Sequence, residues 1–238
     1  MVDFHSHFLP GMDDGAAAPE ESIRMLEESA RQGVEIIFAT PHFYADEESP
    51  DSFLERREAA CRKLLVSLAE RDLAQIQIPE IFLGAEIYYF PGIATCDEII
   101  PLALENTGLL LVEPPFVPFS NSMLDEVESI RKNLGLDPVI AHLDRYCRMF
   151  RDNNLFEKLA ERDILVQVNA SFFLHPDSSE LALKMLEREM FQMLGSDCHN
   201  LTSRAPNMGF AAEIIKRKKL DKLLAKVNDL SYNMCKLF

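Results

Sequence analysis

The sequence predicts an α/β fold, a barrel of parallel strand–helix repeats, and three observations carry that expectation. Short apolar runs alternate with longer amphipathic ones about seven times along the chain, as parallel β/α units do. The apolar runs are rich in Val, Ile, Leu and Phe, as strands covered on both faces must be. At 238 residues, 47% of them hydrophobic, the chain can close such repeats around one core, and closure leaves no exposed sheet edge.

The expected strands, in order, are MVDFHSH, VEIIFATPH, IFLGAEIY, GLLLVEP, PVIAH, ILVQVNA and MFQMLGSD. A first helix over residues 19–32 has proline in its first turn and Gly33 just past its end. Further helical stretches cover residues 52–71, 121–133, 154–162 and 179–188, and a final helical pair fills the chain after Pro206. No linker rich in Gly or Ser and no low-complexity tract interrupts this pattern, so residues 1–238 read as one domain.

Composition narrows the function. No apolar run approaches the ~20 residues of a membrane span, and the N-terminus lacks the basic and apolar segments of an export signal. The five cysteines (Cys61, Cys96, Cys147, Cys198 and Cys235) are scattered and form no C-x-x-C, which suits a reducing cytoplasm. A net charge of −15 opposes a nucleic-acid or anionic-membrane surface, because phosphate backbones need clustered Lys and Arg. The basic segment KRKKLDKLLAK reads as a solvated helix face. So does the acidic PEESIRMLEESAR, with a homo-oligomer surface as its alternative.

The chemistry gathers where β/α barrels place it, at the C-terminal ends of the strands. The first strand ends in His5 and His7, with Asp14 in the loop beyond; the second ends in His42 and the third in Glu86. The fourth ends in Glu113, the fifth in His142, and the seventh in Asp197 and His199. Only the sixth, ending near Asn169, offers no ligand. Residues at i and i+2 on a strand point the same way, which lets His5 and His7, and Asp197 and His199, share a site. Nine imidazole and carboxylate groups exceed what one ion of four to six coordination takes, and suit two or three divalent ions. Without thiolates the set fits manganese, iron or zinc, with magnesium beside them, and the residues leave that choice open. Ions about 3.5–4 Å apart can activate water and stabilise a phosphoryl transition state from both sides.

The motifs DFHSH, DDG, TPH, GAEIYY, LVEPPF, AHLDRY and SDCHNLTSR, running from Asp3 to Arg204, together resemble the PHP (polymerase and histidinol phosphatase) superfamily. Within it, the chain is most similar to bacterial protein-tyrosine phosphatases from capsule and exopolysaccharide loci. The resemblance implies a distorted seven-stranded, TIM-like β/α barrel holding three metals. One site would use His5, His7, Glu86 and Asp197; a second would share Glu86 and add Glu113 and His142; a third would take Asp14, His42 and His199. Asp13 would be a loop or supporting residue. Arg145 and Arg204 match the family's phosphate-binding arginines, and a guanidinium fork suits phosphate oxygens.

By the same resemblance the reaction is hydrolysis of phosphotyrosine on a protein, the usual partner being a bacterial tyrosine kinase whose tyrosine-rich tail controls polysaccharide export. Tyr88, with Phe43, Tyr44, Tyr89, Phe90 and Phe116, stands near the strand ends and would border a phenyl ring. The alternatives are a small-molecule PHP phosphoesterase, such as a histidinol or nucleotide phosphatase, and a non-catalytic metal-binding module. Retention of all nine ligands opposes the second. Asp144 stands where these phosphatases commonly carry Glu, which weakens a role for a longer carboxylate there. His175 matches no motif and reads as a surface residue.

SDCHNLTSR also contains Cys198-x5-Arg204, the spacing of cysteine-dependent tyrosine phosphatases. Against that mechanism, HNLTS has no glycine to curl an anion-binding loop, and Asp197 would oppose thiolate formation. It also leaves the five strand-end histidines without a purpose.

Overall fold

Each apolar run offered as a strand contains a strand in the computed structural model, which describes residues 1–71, 77–150 and 154–235, but two runs are divided. The strands are β1 (Val2–Ser6), β2 (Ile36–Ala39), β3 (His42–Phe43), β4 (Glu80–Leu83) and β5 (Glu86–Tyr88), then β6 (Leu109–Glu113), β7 (Asp137–Ile140), β8 (Leu165–Asn169) and β9 (Met193–Gly195). All their ladders are parallel. A three-stranded sheet runs β1-β2-β4 and a six-stranded sheet runs β3-β5-β6-β7-β8-β9. Nine strands in two sheets therefore stand where seven unbroken ones were expected.

The divisions have local causes. Pro41, between β2 and β3, has no N–H to give a ladder. Between β4 and β5 the Gly84 carbonyl accepts instead from the buried Arg57 guanidinium, at 2.8 Å. Neighbouring chain segments still hold hands across the gaps: Gly84 N–H donates to Ala39 O at 2.9 Å and Glu86 N–H to Pro41 O at 3.1 Å. Beyond β9, Asp197 N–H donates to His5 O and His7 N–H to Cys198 O, tying the six-stranded sheet to β1.

The helices are α1 (Pro19–Arg31), α2 (Pro50–Ala69), α3 (Asn121–Leu134), α4 (Leu143–Phe150), α5 (Leu155–Ala160), α6 (Pro176–Glu187), α7 (Met208–Arg217) and α8 (Asp221–Met234). Ser49 and Ser120 cap α2 and α3 by accepting from the N–H groups of Ser52 and Met123. Gly135 ends α3 in the left-handed conformation that glycine adopts freely. The sequence reading lacked α4, although Leu143, Tyr146, Cys147 and Phe150 recur at helical spacing there. Among the described residues, no helix is long and apolar enough to cross a membrane, and all five cysteines are free thiols.

Strands bury both faces, as their composition requires. Leu110, Val112, Ile140 and Leu194 join the large cluster packed by the helices. Leu109, Leu111, Val139 and Met193 join a smaller one with Val2, Phe4 and Phe38. Within it Phe4 stacks on Phe38 at 5.2 Å between ring centroids, and Phe38 on Phe82 at 5.5 Å. Glu113 continues the Leu109–Leu111 face of β6, and Gln167 and Asn169 continue the face of Leu165, which also packs on this cluster. The smaller cluster is thus the floor on which the polar residues stand.

Phe38→Ala should lower the free energy of unfolding by about 3–5 kcal/mol, the cost of emptying a packed aromatic site. Val66→Ala, on the exposed face of α2, should change it by less than about 0.5 kcal/mol. Urea denaturation followed by circular dichroism measures both.

Candidate metal centre

The ends of the strands meet around Glu86, the first residue of β5, which is paired in register with His42 of β3. Its side chain is 1% exposed. Oε2 lies 3.1 Å from His5 Nε2, 3.3 Å from His7 Nε2 and 3.0 Å from His42 Nδ1, while Oε1 lies 2.7 Å from His142 Nε2. Glu113 Oε1 adds a contact of 3.3 Å to His142 Nε2. On the outer side, Asp14 Oδ1 stands 3.2 Å from His199 Nε2 and 3.6 Å from His42 Nε2. Asp197 Oδ1 is 3.6–3.8 Å from ring nitrogens of His5, His7 and His199. All nine strand-end residues singled out by the sequence are brought together.

Their grouping differs from the expected one. Three sets have ligand atoms close enough to share an ion: His7, Asp14, His42 and His199; His5, His7 and Glu86; and His42, Glu86 and Glu113. His7 and His42 therefore join Glu86 as shared members. Asp197 and His199 do not lie on a strand, since β9 ends at Gly195. They reach the cluster from irregular chain, and Asp197 has a φ of 52°. His142, just past β7, has a φ of 32°. A left-handed backbone at a non-glycine residue costs about 1–3 kcal/mol, and here it is kept at two candidate ligands.

The atoms fit cations better than they fit one another. His42 Nδ1, Glu86 Oε2 and His199 Nε2 are buried and have no hydrogen-bond partner among the described residues, although opposing atoms stand 3.0–3.2 Å away. Two Nε2 atoms, of His5 and His7, face each other at 3.1 Å. Converging lone pairs without hydrogen-bond alignment are what a shared divalent ion would satisfy. Two imidazoles are held with Nε2 free for that purpose. His7 Nδ1 donates to Asp13 Oδ2 at 2.7 Å, and His199 Nδ1 to the Asp197 carbonyl at 3.0 Å.

Without a cation, charge is shared by protons. Burial alone would lower His5, but Glu86, joined by Asp197 and Gln167, outweighs burial and pushes it up to about 9. Burial likewise opposes His42, and Glu86 raises it to about 9. The Glu86 carboxyl, which burial would raise, is held well below the usual range by His5, His142 and His42. His199 goes the other way, lowered to about 4 by burial and by His7.

Asp13 is more than a loop residue. Besides His7, it accepts from the N–H groups of Gly15 (2.9 Å) and His42 (3.0 Å), so one carboxylate ties two candidate ligands together. The third residue of DDG must be small: a Cβ on Gly15 would stand 2.1 Å from His7 O. The sequence reading missed Asp3, Gln167 and Asn169. Asp3 Oδ1 accepts from Ser196 N–H and His5 N–H, binding β1 to the chain beyond β9. Gln167 and Asn169 are enclosed amides in an otherwise apolar strand, and that contrast was the available signal.

Arg145 and Arg204 both lie against Asp197, one on each oxygen, and remain 35% and 36% exposed at the rim. Arg145 Nη1 also stands 3.7 Å from Glu113, and Arg204 Nη1 3.4 Å from Asp14. Tyr88 packs against Tyr44 with ring centroids 5.6 Å apart, and Tyr44 packs against His42 at 5.6 Å. Phe43 instead faces the core against Phe53, because it alternates with His42 on β3. The Tyr89 hydroxyl donates to Glu126, and Phe116 is exposed beside Tyr146 and Phe150.

Asp144 is buried, and its Oδ1 accepts from Asn169 N–H at 2.9 Å, so it serves the end of β8. His175 is exposed, as expected. Cys198 is fully buried, and burial together with Asp3 pushes its thiol up, opposite to what a nucleophilic thiolate needs.

Against known proteins, the family described as "Capsular polysaccharide synthesis, CpsB/CapC" matches residues 1–234. Tyrosine-protein phosphatase CpsB of Streptococcus pneumoniae is 31% identical over 238 residues, covering 92% of this chain and 90% of that protein. Tyrosine-protein phosphatase YwqE of Bacillus subtilis is 29% identical over 212 residues, covering 86% and 79%. A crystal structure from work on YwqE and CpsB, described there as metal-dependent tyrosine phosphatases, superposes with a TM-score of 0.85. It covers 100% of this chain and 95% of that one at 24% identity, which shows a common fold.

The raised imidazoles give the metal-free protein a defined pH response. A folded pKa of about 9 against an ordinary 6.5 means that the contributions of His5 and His42 are complete below pH 6.5 and vanish as pH climbs through 9. Urea denaturation in chelator should therefore show stability falling across that window. Saturation with divalent cation, which needs the imidazoles neutral, should flatten the fall.

Proposed function

Since the chain belongs to the CpsB/CapC family of capsular polysaccharide synthesis, we propose that it is a metal-dependent protein-tyrosine phosphatase, a phosphoric monoester hydrolase acting on phosphotyrosine in proteins. The observation that carries this reading is the buried Glu86 carboxylate encircled by four imidazoles, with orphaned donor atoms pointing at common centres. We read the nine strands as seven staves of a distorted TIM-like barrel, two of them broken, and residues 1–238 as one PHP-type domain.

In this reading His5, His7, Asp14, His42, Glu86, Glu113, His142, Asp197 and His199 hold two or three divalent ions, a mixed imidazole and carboxylate set; by family resemblance manganese is our first choice, with iron, zinc or magnesium as alternatives. When bound, the ions supply Lewis acidity and neutralise charge as water attacks phosphorus. The chain's own groups do the rest. Arg145 and Arg204, at the rim on either side of Asp197, are the groups we assign to grip the phosphoryl oxygens where negative charge accumulates. Tyr88, backed by Tyr44, flanks the phenyl ring. Phenol has a pKa of about 10 and leaves without a strong acid, which agrees with Asp144 being turned toward Asn169. The substrate we assign is the tyrosine-rich tail of a bacterial tyrosine kinase, with the reaction on the cytoplasmic side.

Hydrolysis of a phosphotyrosine peptide should stop in chelator and return with manganese, and Cys198→Ser should retain most activity. A cysteine mechanism requires the reverse on both counts. Turnover of histidinol phosphate well above that of the peptide would instead favour a small-molecule phosphoesterase.

Arg145→Ala and Arg204→Ala should each lower kcat by about 10²–10³-fold, the usual loss of one preorganised donor. Lys at either position should restore only part, because an ammonium cannot make the two-point contact. Steady-state kinetics on the same peptide reads the difference.

A further inference from the structure

No candidate ligand comes from β8, yet two enclosed amides on it, Gln167 and Asn169, face the cluster. Their hydrogen bonds fix one another in sequence. The His142 backbone N–H can only donate, so the Gln167 atom 2.7 Å from it is the amide oxygen. The same oxygen lies 3.2 Å from His5 Nδ1, which must therefore carry the hydrogen. Once the ring is neutral, as a bound cation requires, Nε2 keeps the lone pair, and it is the nitrogen 3.1 Å from both Glu86 Oε2 and His7 Nε2.

The other end of the amide is equally determined. Gln167 Nε2 donates to Asn169 Oδ1 at 3.0 Å, which leaves Asn169 Nδ2 to donate to Asp197 Oδ2 at 2.8 Å. Asp197 Oδ1 then stays turned toward His5, His7 and His199. Gly195, on the neighbouring strand β9, opens the path. A Cβ there would stand 2.5 Å from His5 Cβ and 2.8 Å from Gln167 Nε2.

We propose that Gln167 and Asn169 are positioning residues: a relay of two side-chain amides that sets the His5 tautomer and the Asp197 oxygen presented to a divalent cation. The inference rests on the metal-site reading above. Gln167 serves as acceptor and donor at once, so an apolar residue of similar volume can fill its space but cannot do its work. Losing such a partner behind a ligating imidazole commonly weakens metal binding by about 10–100-fold.

The test is Zn²⁺ titration against a chromophoric chelator for the wild-type protein, Gln167→Leu and Gln167→Glu, with folding checked by circular dichroism. Histidine side-chain ¹⁵N spectra of the Zn²⁺-loaded wild type accompany it. Gln167→Leu should bind about 10–100-fold more weakly, and Gln167→Glu, which keeps the acceptor toward His5 and His142, should recover much of the loss. The spectra should show His5 protonated at Nδ1. Wild-type affinity in folded Gln167→Leu, or a His5 protonated at Nε2 in the loaded wild type, would overturn the relay while leaving the metal site intact. If Gln167→Leu does not fold, the wild-type spectrum decides alone. A wild-type protein that takes up no Zn²⁺ defeats the metal reading and the relay together.

Discussion

Glu86 is a carboxylate cut off from water and encircled by His5, His7, His42 and His142. A buried charge of that kind costs several kcal/mol unless opposite charge and hydrogen bonds meet it. Protons on the imidazoles, or cations between them, are the partners nearest at hand. That requirement organises the surrounding residues. Asp13, Gln167 and the Asp197 carbonyl each hold one imidazole by its Nδ1 edge, so that the Nε2 edges converge. A ring free to turn would leave the carboxylate with fewer partners and the cations with fewer lone pairs.

The backbone is shaped by the same need. Regular parallel strands would carry residues past the centre at fixed spacing, and two strands are instead interrupted within three residues of a candidate ligand. Pro41 precedes His42, and Gly84, whose carbonyl is held by Arg57 of α2, precedes Glu86 by two residues. A helix on the outside thus fixes the turn that aims a side chain on the inside. The left-handed residues His142 and Asp197 do the same work at the ends of β7 and beyond β9. Beneath them, the stacked rings of Phe4, Phe38 and Phe82 give a rigid apolar support that cannot offer competing hydrogen bonds.

Much of this was legible in the sequence, for a physical reason. Histidines and acids at the ends of apolar runs have few bland explanations, so His5, His7, His42, Glu86, Glu113, His142, Asp197 and His199 announced their convergence. Of the strand divisions, Pro41 carried its own signal, a missing N–H, whereas Gly84 acts through a carbonyl whose partner, Arg57, comes from α2. α4 was hidden by its motif: AHLDRY drew attention as a strand end, while the helical spacing from Leu143 to Phe150 passed unread. Gln167 and Asn169 were overlooked because an amide in a strand says nothing until its neighbours are known. The membership of His7 and His42 in two candidate ligand sets each likewise depends on distances that no spacing encodes.

Asp197 holds a guanidinium on each of its two oxygens. Neither Arg145 nor Arg204 therefore stands as an unpaired cation at the rim; the same carboxylate already meets both. An anion reaching them would exchange one ion pair for another rather than desolvate a free guanidinium. Whatever draws Asp197 aside, a cation included, would release both side chains at once, so the two arginines are coupled through one carboxylate.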